Sequence, residues 1–239
     1  MTVPALIEAW RKWNRSVAVA YEGIVNTIRA ERNMRIHMAA AIVVLALALV
    51  LRLPIGSLLW VLLATALVIA AELFNTAVER AVALTSPSTH PLAKAAKDAA
   101  AGAVLVLSLF AAGVGAAVLY APVRDIVLHG AAGLPPMGIG ERTLASAAWI
   151  ASVMLAIQAW TRRGGRTGFD AISGLLAGGA LQLLRFGADS AFVWIVWIPL
   201  AASALSVRSC LPVRRGGTAL GVCAGLPIGA LANWFPEWL

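Results

Sequence analysis

Charge is what this sequence has least of. Only 13% of its 239 residues are Asp, Glu, Lys or Arg, about half the share of roughly 25% usual in a soluble protein. With 61% hydrophobic residues, the chain has too few polar side chains to clothe a water-soluble globule. Cysteine is almost missing too. Cys210 and Cys223 fall in no metal-ligand spacing, so neither a disulfide framework nor a zinc module is expected. No GxxxxGK[ST] loop and no glycine-rich kinase loop occurs, which excludes the common soluble scaffolds for nucleotide phosphates. The N-terminus lacks a short apolar core ahead of a small-residue cleavage site. It reads PALIEAWRKWNR, the start of a surface amphipathic helix with Trp10 and Trp13 at interface depth, rather than a cleaved signal.

What is present in quantity is long apolar runs, several of which reach or approach the ~20 residues a helix needs to cross a bilayer. They are continuous and rich in Ala and Leu rather than alternating, which argues against a β-barrel. The fold expected is all-α, a polytopic transmembrane bundle with crossings near 35–51, 55–83, 92–120, 143–160, 170–186, 190–207 and 218–235. The formal net charge of +8 is unevenly placed. With the N-terminus in the cytoplasm, only Arg52, Arg124, Arg142 and Arg185 fall outside, and the other fifteen of nineteen Lys and Arg fall inside. That asymmetry is the positive-inside pattern, so the basicity reports topology and anionic lipid rather than nucleic acid. Seven crossings put the C-terminus outside.

The chain divides near residue 122. A Gly- and Pro-rich stretch, VRDIVLHGAAGLPPMGIGE, reads as a linker over 123–142, and four shorter apolar segments follow over 143–239. Asp170, Gln158 and Gln182 are scattered through this second part, and His129 stands in the linker, where solvation is the expectation. The glycine pairs at 164–165, 178–179 and 216–217 suit turns and close helix packing.

Ionisable groups inside membrane segments cost on the order of 2.5–3.5 kcal/mol each on insertion scales and usually mark function. The stretch AELFNTAVE places Glu72, Asn75 and Glu79 at i, i+3 and i+7, on one helical face. IRAERNMRIHM, with Glu31, Asn33, Arg35 and His37, precedes the first crossing. HPLAKAAKDAAAGAV, with His90, Lys94, Lys97 and Asp98, precedes the third. In this topology all three stretches meet at cytoplasmic level. Two carboxylates that can share a hard cation, lysines beside them and a deeper third carboxylate suit phosphate chemistry.

Residues 16–121 resemble the small bacterial integral-membrane lipid kinases, the diacylglycerol kinase and undecaprenol kinase family. The resemblance rests on Gly23 with ERNMRIH, then AELFNTAVE, then AKAAKDAAAGAVL, in that order. It makes 1–122 a kinase domain of three crossings with an N-terminal surface helix, in the bacterial inner membrane. It implies ATP-dependent phosphorylation of undecaprenol or diacylglycerol, with Glu72 as general base and Asn75 orienting the base or the acceptor hydroxyl. Glu31 and Glu79 would hold Mg²⁺, Lys97, Asp98 and Gly23 would serve the nucleotide, and the assembly would be a homotrimer. Glu31 could then serve a neighbour's Glu72. Two positions depart from the family pattern. Ala83 stands where an aspartate is common, and Glu22 precedes Gly23 where the family has a neutral or basic residue.

The second half more faintly resembles a type 2 phosphatidic acid phosphatase domain, in RTGFDAISGLLAGG and RSCLPVRRGGTALGVCAGLPIG. Phe169, Gly217 and Gly221 occupy the places of that family's working His, His and Asp. The resemblance therefore implies a degenerate relative that packs, orients or recruits. A bifunctional kinase–phosphatase and a non-catalytic membrane scaffold are the alternatives to the kinase reading.

Overall fold

The computed structural model describes residues 3–85, 90–130, 134–161, 170–187, 189–210 and 215–238, without side chains for 215–217 and 235–238. Phe169, Gly164, Gly165, Arg162, Arg163, Arg166 and Arg214, all used in the sequence reading, lie outside these descriptions. The described residues form eight helices and no strand: α1 (Val3–Ala30), α2 (Arg32–Val50), α3 (Ile55–Thr85), α4 (Pro91–His129), α5 (Ile139–Thr161), α6 (Ala171–Phe186), α7 (Ala191–Cys210) and α8 (Arg215–Trp238). This is the all-α membrane architecture expected. Five of the helices, α2, α3, α4, α5 and α7, are long and apolar enough to span a bilayer; α6 and the Thr218–Trp234 part of α8 are apolar but shorter.

Two local features set the geometry of the first half. Glu31 is the one residue between α1 and α2, with extended backbone (φ −96°, ψ 129°). It breaks the helix there, so α1 and α2 are separate rods with Glu31 at the corner. At the far end of α2 a tight stop reverses the chain. Arg52 takes a left-handed conformation (φ 52°), its N–H bonds to Leu49 O (3.3 Å), and Leu53 N–H bonds to Ala48 O (3.1 Å). That is a Schellman motif with arginine where glycine is usual. Leu51 and Leu53 on either side are buried and hold it in place.

Helix α4 runs further than its apolar run suggested. Val123–His129, read as the start of the linker, continue the helix past Pro122 to Gly130. A proline is tolerated in a membrane helix when neighbours re-satisfy the freed backbone, and Ile126 packs against the main core. Only Val104 of its 39 residues is buried.

The two halves share one core. Leu45, Leu49, Leu58 and Val61 of α2 and α3 pack with Ile150 and Met154 of α5 and with Val193 and Trp197 of α7. α1 lies along α7 and α5, and α2 along α5. In the second half α6 and α8 make the closest contact of all. Gly174 and Gly178 meet Gly221, Gly225 and Gly229 so tightly that a Cβ on Gly225 would come 2.1 Å from Gly174 O, and one on Gly221 2.1 Å from Asp170 O. Backbone touches backbone, which only glycine allows. That is a packing reason for glycine at 221, independent of any lost chemistry.

Asp170 and Gln158 are not scattered. Asp170 caps α6 through Ile172 N–H (3.2 Å), accepts from Ser173 Oγ (2.5 Å) and pairs with Arg208 of α7, whose other nitrogen reaches Thr218 of α8 (3.0 Å). Gln158 Oε1 accepts from Ala171 N–H (2.9 Å). This buried network ties α5 to α8 at the end where α6 begins. Gln182 is also paired, accepting from Trp197 Nε1 at 2.7 Å.

Candidate active site

Helix α3 lays out the acidic face. Glu72 lies about 25 Å along the helix from Ile55, a distance close to the ~30 Å thickness of a hydrocarbon layer. It is only 2% exposed, and Asn75 and Thr76 beside it are buried. Glu79, about 10 Å further along α3, is partly exposed and accepts from Asn75 Nδ2 at a long 3.4 Å. Glu31 comes in from the α1–α2 corner and sits near Arg80 Nη2 (3.5 Å).

Glu79 stands two turns from Glu72 on the same face of α3, and Glu31 reaches Arg80, the residue after Glu79. The α1–α2 corner thus brings the third carboxylate named from sequence to the end of α3 that carries the other two. There Glu72 Oε2, Asn75 Oδ1 and Thr76 Oγ1 are buried with no hydrogen-bond partner among the described residues. A buried polar atom without a partner costs about 1–3 kcal/mol. Three together on one face mark a place built for a polar ligand rather than for packing.

Between α2, α3 and α4 a groove of about 320 Å³ opens beside this face, lined by His37, Val44, Val61, Val68, Ile69 and Ser108 among others. Val68 and Ile69, one helical turn before Glu72, line one end of the groove, and Val61, two turns further along α3, lines it deeper. Its walls are nearly all apolar, and the Ser108 hydroxyl is buried without a partner.

Among the described residues, no hydrogen bond or ion pair joins Lys97, Asp98 or Gly23 to the three glutamates. Lys97 is exposed on α4, and Asp98 pairs with Lys94 at 2.5 Å, both side chains largely in solvent. Gly23 is on the exposed side of α1 with nothing within 4 Å of where a Cβ would lie. His37, Thr76 and Arg80 are part of the site although the sequence reading gave them no role. His37 was legible in NMRIH, and Arg80 was read only as a topology charge. Thr76 carried no signal beyond adjacency to Asn75.

The sequence profile of prokaryotic diacylglycerol kinases matches residues 18–119. An undecaprenol kinase from Bacillus subtilis (strain 168) is 43% identical over 101 residues, covering 42% of this chain and 82% of that protein. The chain belongs to the prokaryotic diacylglycerol kinase family. A diacylglycerol kinase from Synechocystis sp. (strain ATCC 27184 / PCC 6803 / Kazusa) is 38% identical over 114 residues, 47% of this chain and 65% of its own length. No solved structure matches significantly. Membership places the chain among lipid kinases, and it rests on α1 to α4: helices α5 to α8 lie beyond the profile.

Mg²⁺ is the ion that the family resemblance implies. Among the described residues no three His, Cys, Asp or Glu side chains group closely enough to hold a metal by themselves. Mg²⁺ does not need such a cage, since it commonly takes one or two carboxylates together with substrate phosphates and water. Glu31 and Glu79, both partly exposed hard-oxygen donors, fit that requirement.

Proposed function

We propose that the chain transfers the γ-phosphoryl group of ATP to the hydroxyl of a membrane lipid alcohol, undecaprenol or diacylglycerol, giving the lipid monophosphate and ADP. The observation that carries this reading is the buried Glu72 carboxyl, its Oε2 without a partner among the described residues, one helical turn from Val68 and Ile69 of an apolar groove. A lipid chain in the groove brings its hydroxyl to Glu72 without leaving the membrane. Glu72 takes the hydroxyl proton as that oxygen bonds to the γ-phosphorus and the bond from phosphorus to the ADP oxygen breaks. Asn75 and Thr76 offer hydrogen bonds that fix the hydroxyl. Glu31 and Glu79 would hold Mg²⁺, which neutralises phosphate charge when bound. Lys97, Asp98 and Gly23 belong to the nucleotide side of the proposal. The N-terminus is placed in the cytoplasm, where ATP is available, and residues 123–239 act as a non-catalytic bundle. A trimer, implied by the family resemblance, would cover part of the outward face of α4.

The test is transfer of radiolabel from [γ-³²P]ATP to a panel of lipid alcohols by the purified full chain. The expected result is a labelled monophosphate of undecaprenol or diacylglycerol, dependent on Mg²⁺. No labelled lipid with either alcohol would defeat the proposal.

A further inference from the structure

The α2 helix separates two cavities. His37 and Val44 face the kinase groove, whereas Arg35, Met38 and Ile42 face a second slot of about 350 Å³ on the side of α5. Arg29 of α1 and Ala156 and Trp160 of α5 complete its principal walls. One wall therefore comes from the family-matched half and the other from beyond it.

The chemistry of the slot is polarised. From Arg35 to Ile42 it runs about 10 Å along α2 into the membrane, and over that length its lining is Met, Ile and Ala. At the cytoplasmic mouth, Arg35 Nη1 donates to the backbone carbonyl of Arg29 (2.9 Å), which holds the Arg35 guanidinium beside Arg29, and both arginines line the slot. Both arginines are exposed, and no carboxylate among the described residues pairs with either. Trp160 stands exposed at the same level, as interfacial tryptophans do. The slot is too small for a helix and too apolar for a nucleotide. A narrow apolar cleft beneath two unneutralised arginines is complementary to a fatty chain beneath a phosphate.

We propose that this slot seats an anionic membrane phospholipid, one acyl chain between α2 and α5 and its phosphate against Arg29 and Arg35. The lipid would fill the seam between the kinase half and the appended bundle. It is separate from the acceptor groove and does not depend on which alcohol is phosphorylated.

Native mass spectrometry of the delipidated full chain, titrated with dioleoylphosphatidylglycerol or dioleoylphosphatidylcholine, tests it. The parent should retain the anionic lipid in preference to the zwitterionic one. Arg29→Gln/Arg35→Gln should weaken phosphatidylglycerol binding by roughly tenfold or more, and Ala39→Phe, which fills the slot, should reduce it as well. Arg11→Gln/Lys12→Gln, an equal loss of charge elsewhere on the cytoplasmic side, should leave it unchanged. Equal retention of both lipids, persistence of the preference in the Arg29/Arg35 variant, or equal loss in the Arg11/Lys12 variant would overturn the proposal. Inorganic phosphate competing as well as the lipid would also overturn it, by reducing the site to an anion contact.

Discussion

Replacing Glu72 by glutamine isolates chemistry from folding. The residue is 2% exposed, and among the described residues it forms no ion pair and its Oε2 has no hydrogen-bond partner. Glutamine has nearly the same shape, so no cavity opens and no buried cation is stranded. Stability should therefore change by less than about 1 kcal/mol, the range for substitutions that break no packing or network. The rate should behave quite differently. A positioned general base contributes roughly 10²- to 10⁴-fold, equivalent to about 3 to 5 kcal/mol in the barrier. The assay is label transfer from ATP to the lipid alcohol at saturating concentrations of both, beside thermal unfolding of the same sample in detergent. A folded variant with kcat down at least a hundredfold and unchanged KM for ATP is the expected outcome. If kcat stays within threefold of the parent, Glu72 is not the base.

The remaining predictions probe neighbouring parts. Glu31→Gln and Glu79→Gln should raise the Mg²⁺ concentration needed for half-maximal activity, read by metal titration at fixed ATP; an unchanged titration would remove them from the metal site. Ala112→Phe, filling the apolar groove, should raise KM for the lipid while leaving that for ATP alone, since it removes binding without touching the transferring group. Asp170→Asn should cost about 1.5–3 kcal/mol by weakening the charge-assisted bond to the partly exposed Arg208, and the double change with Arg208→Met should recover most of it. Gly225→Ala should lower the unfolding temperature, since the added carbon would press on Gly174 O and overpacking costs about 1–3 kcal/mol.

Some of this protein could be read directly from its residues because the physics involved is local. A bilayer demands ~20 apolar residues per crossing and penalises stray charge, so the apolar runs announced the helices and AELFNTAVE announced a site. The i, i+3, i+7 spacing already put Glu72, Asn75 and Glu79 on one face. What the residues could not convey is which faces meet. The extended backbone at Glu31 and the helix running through Pro122 depend on neighbours distant in sequence. So does the gathering of Asp170, Gln158 and Arg208, which looked unrelated along the chain. Apolar periodicity is nearly featureless in a membrane helix, where lipid-facing and partner-facing sides are equally greasy. Hence the docking of α5 against α2, the seam slot it creates and the parallel glycine contact of α6 with α8 were decided only by tertiary packing.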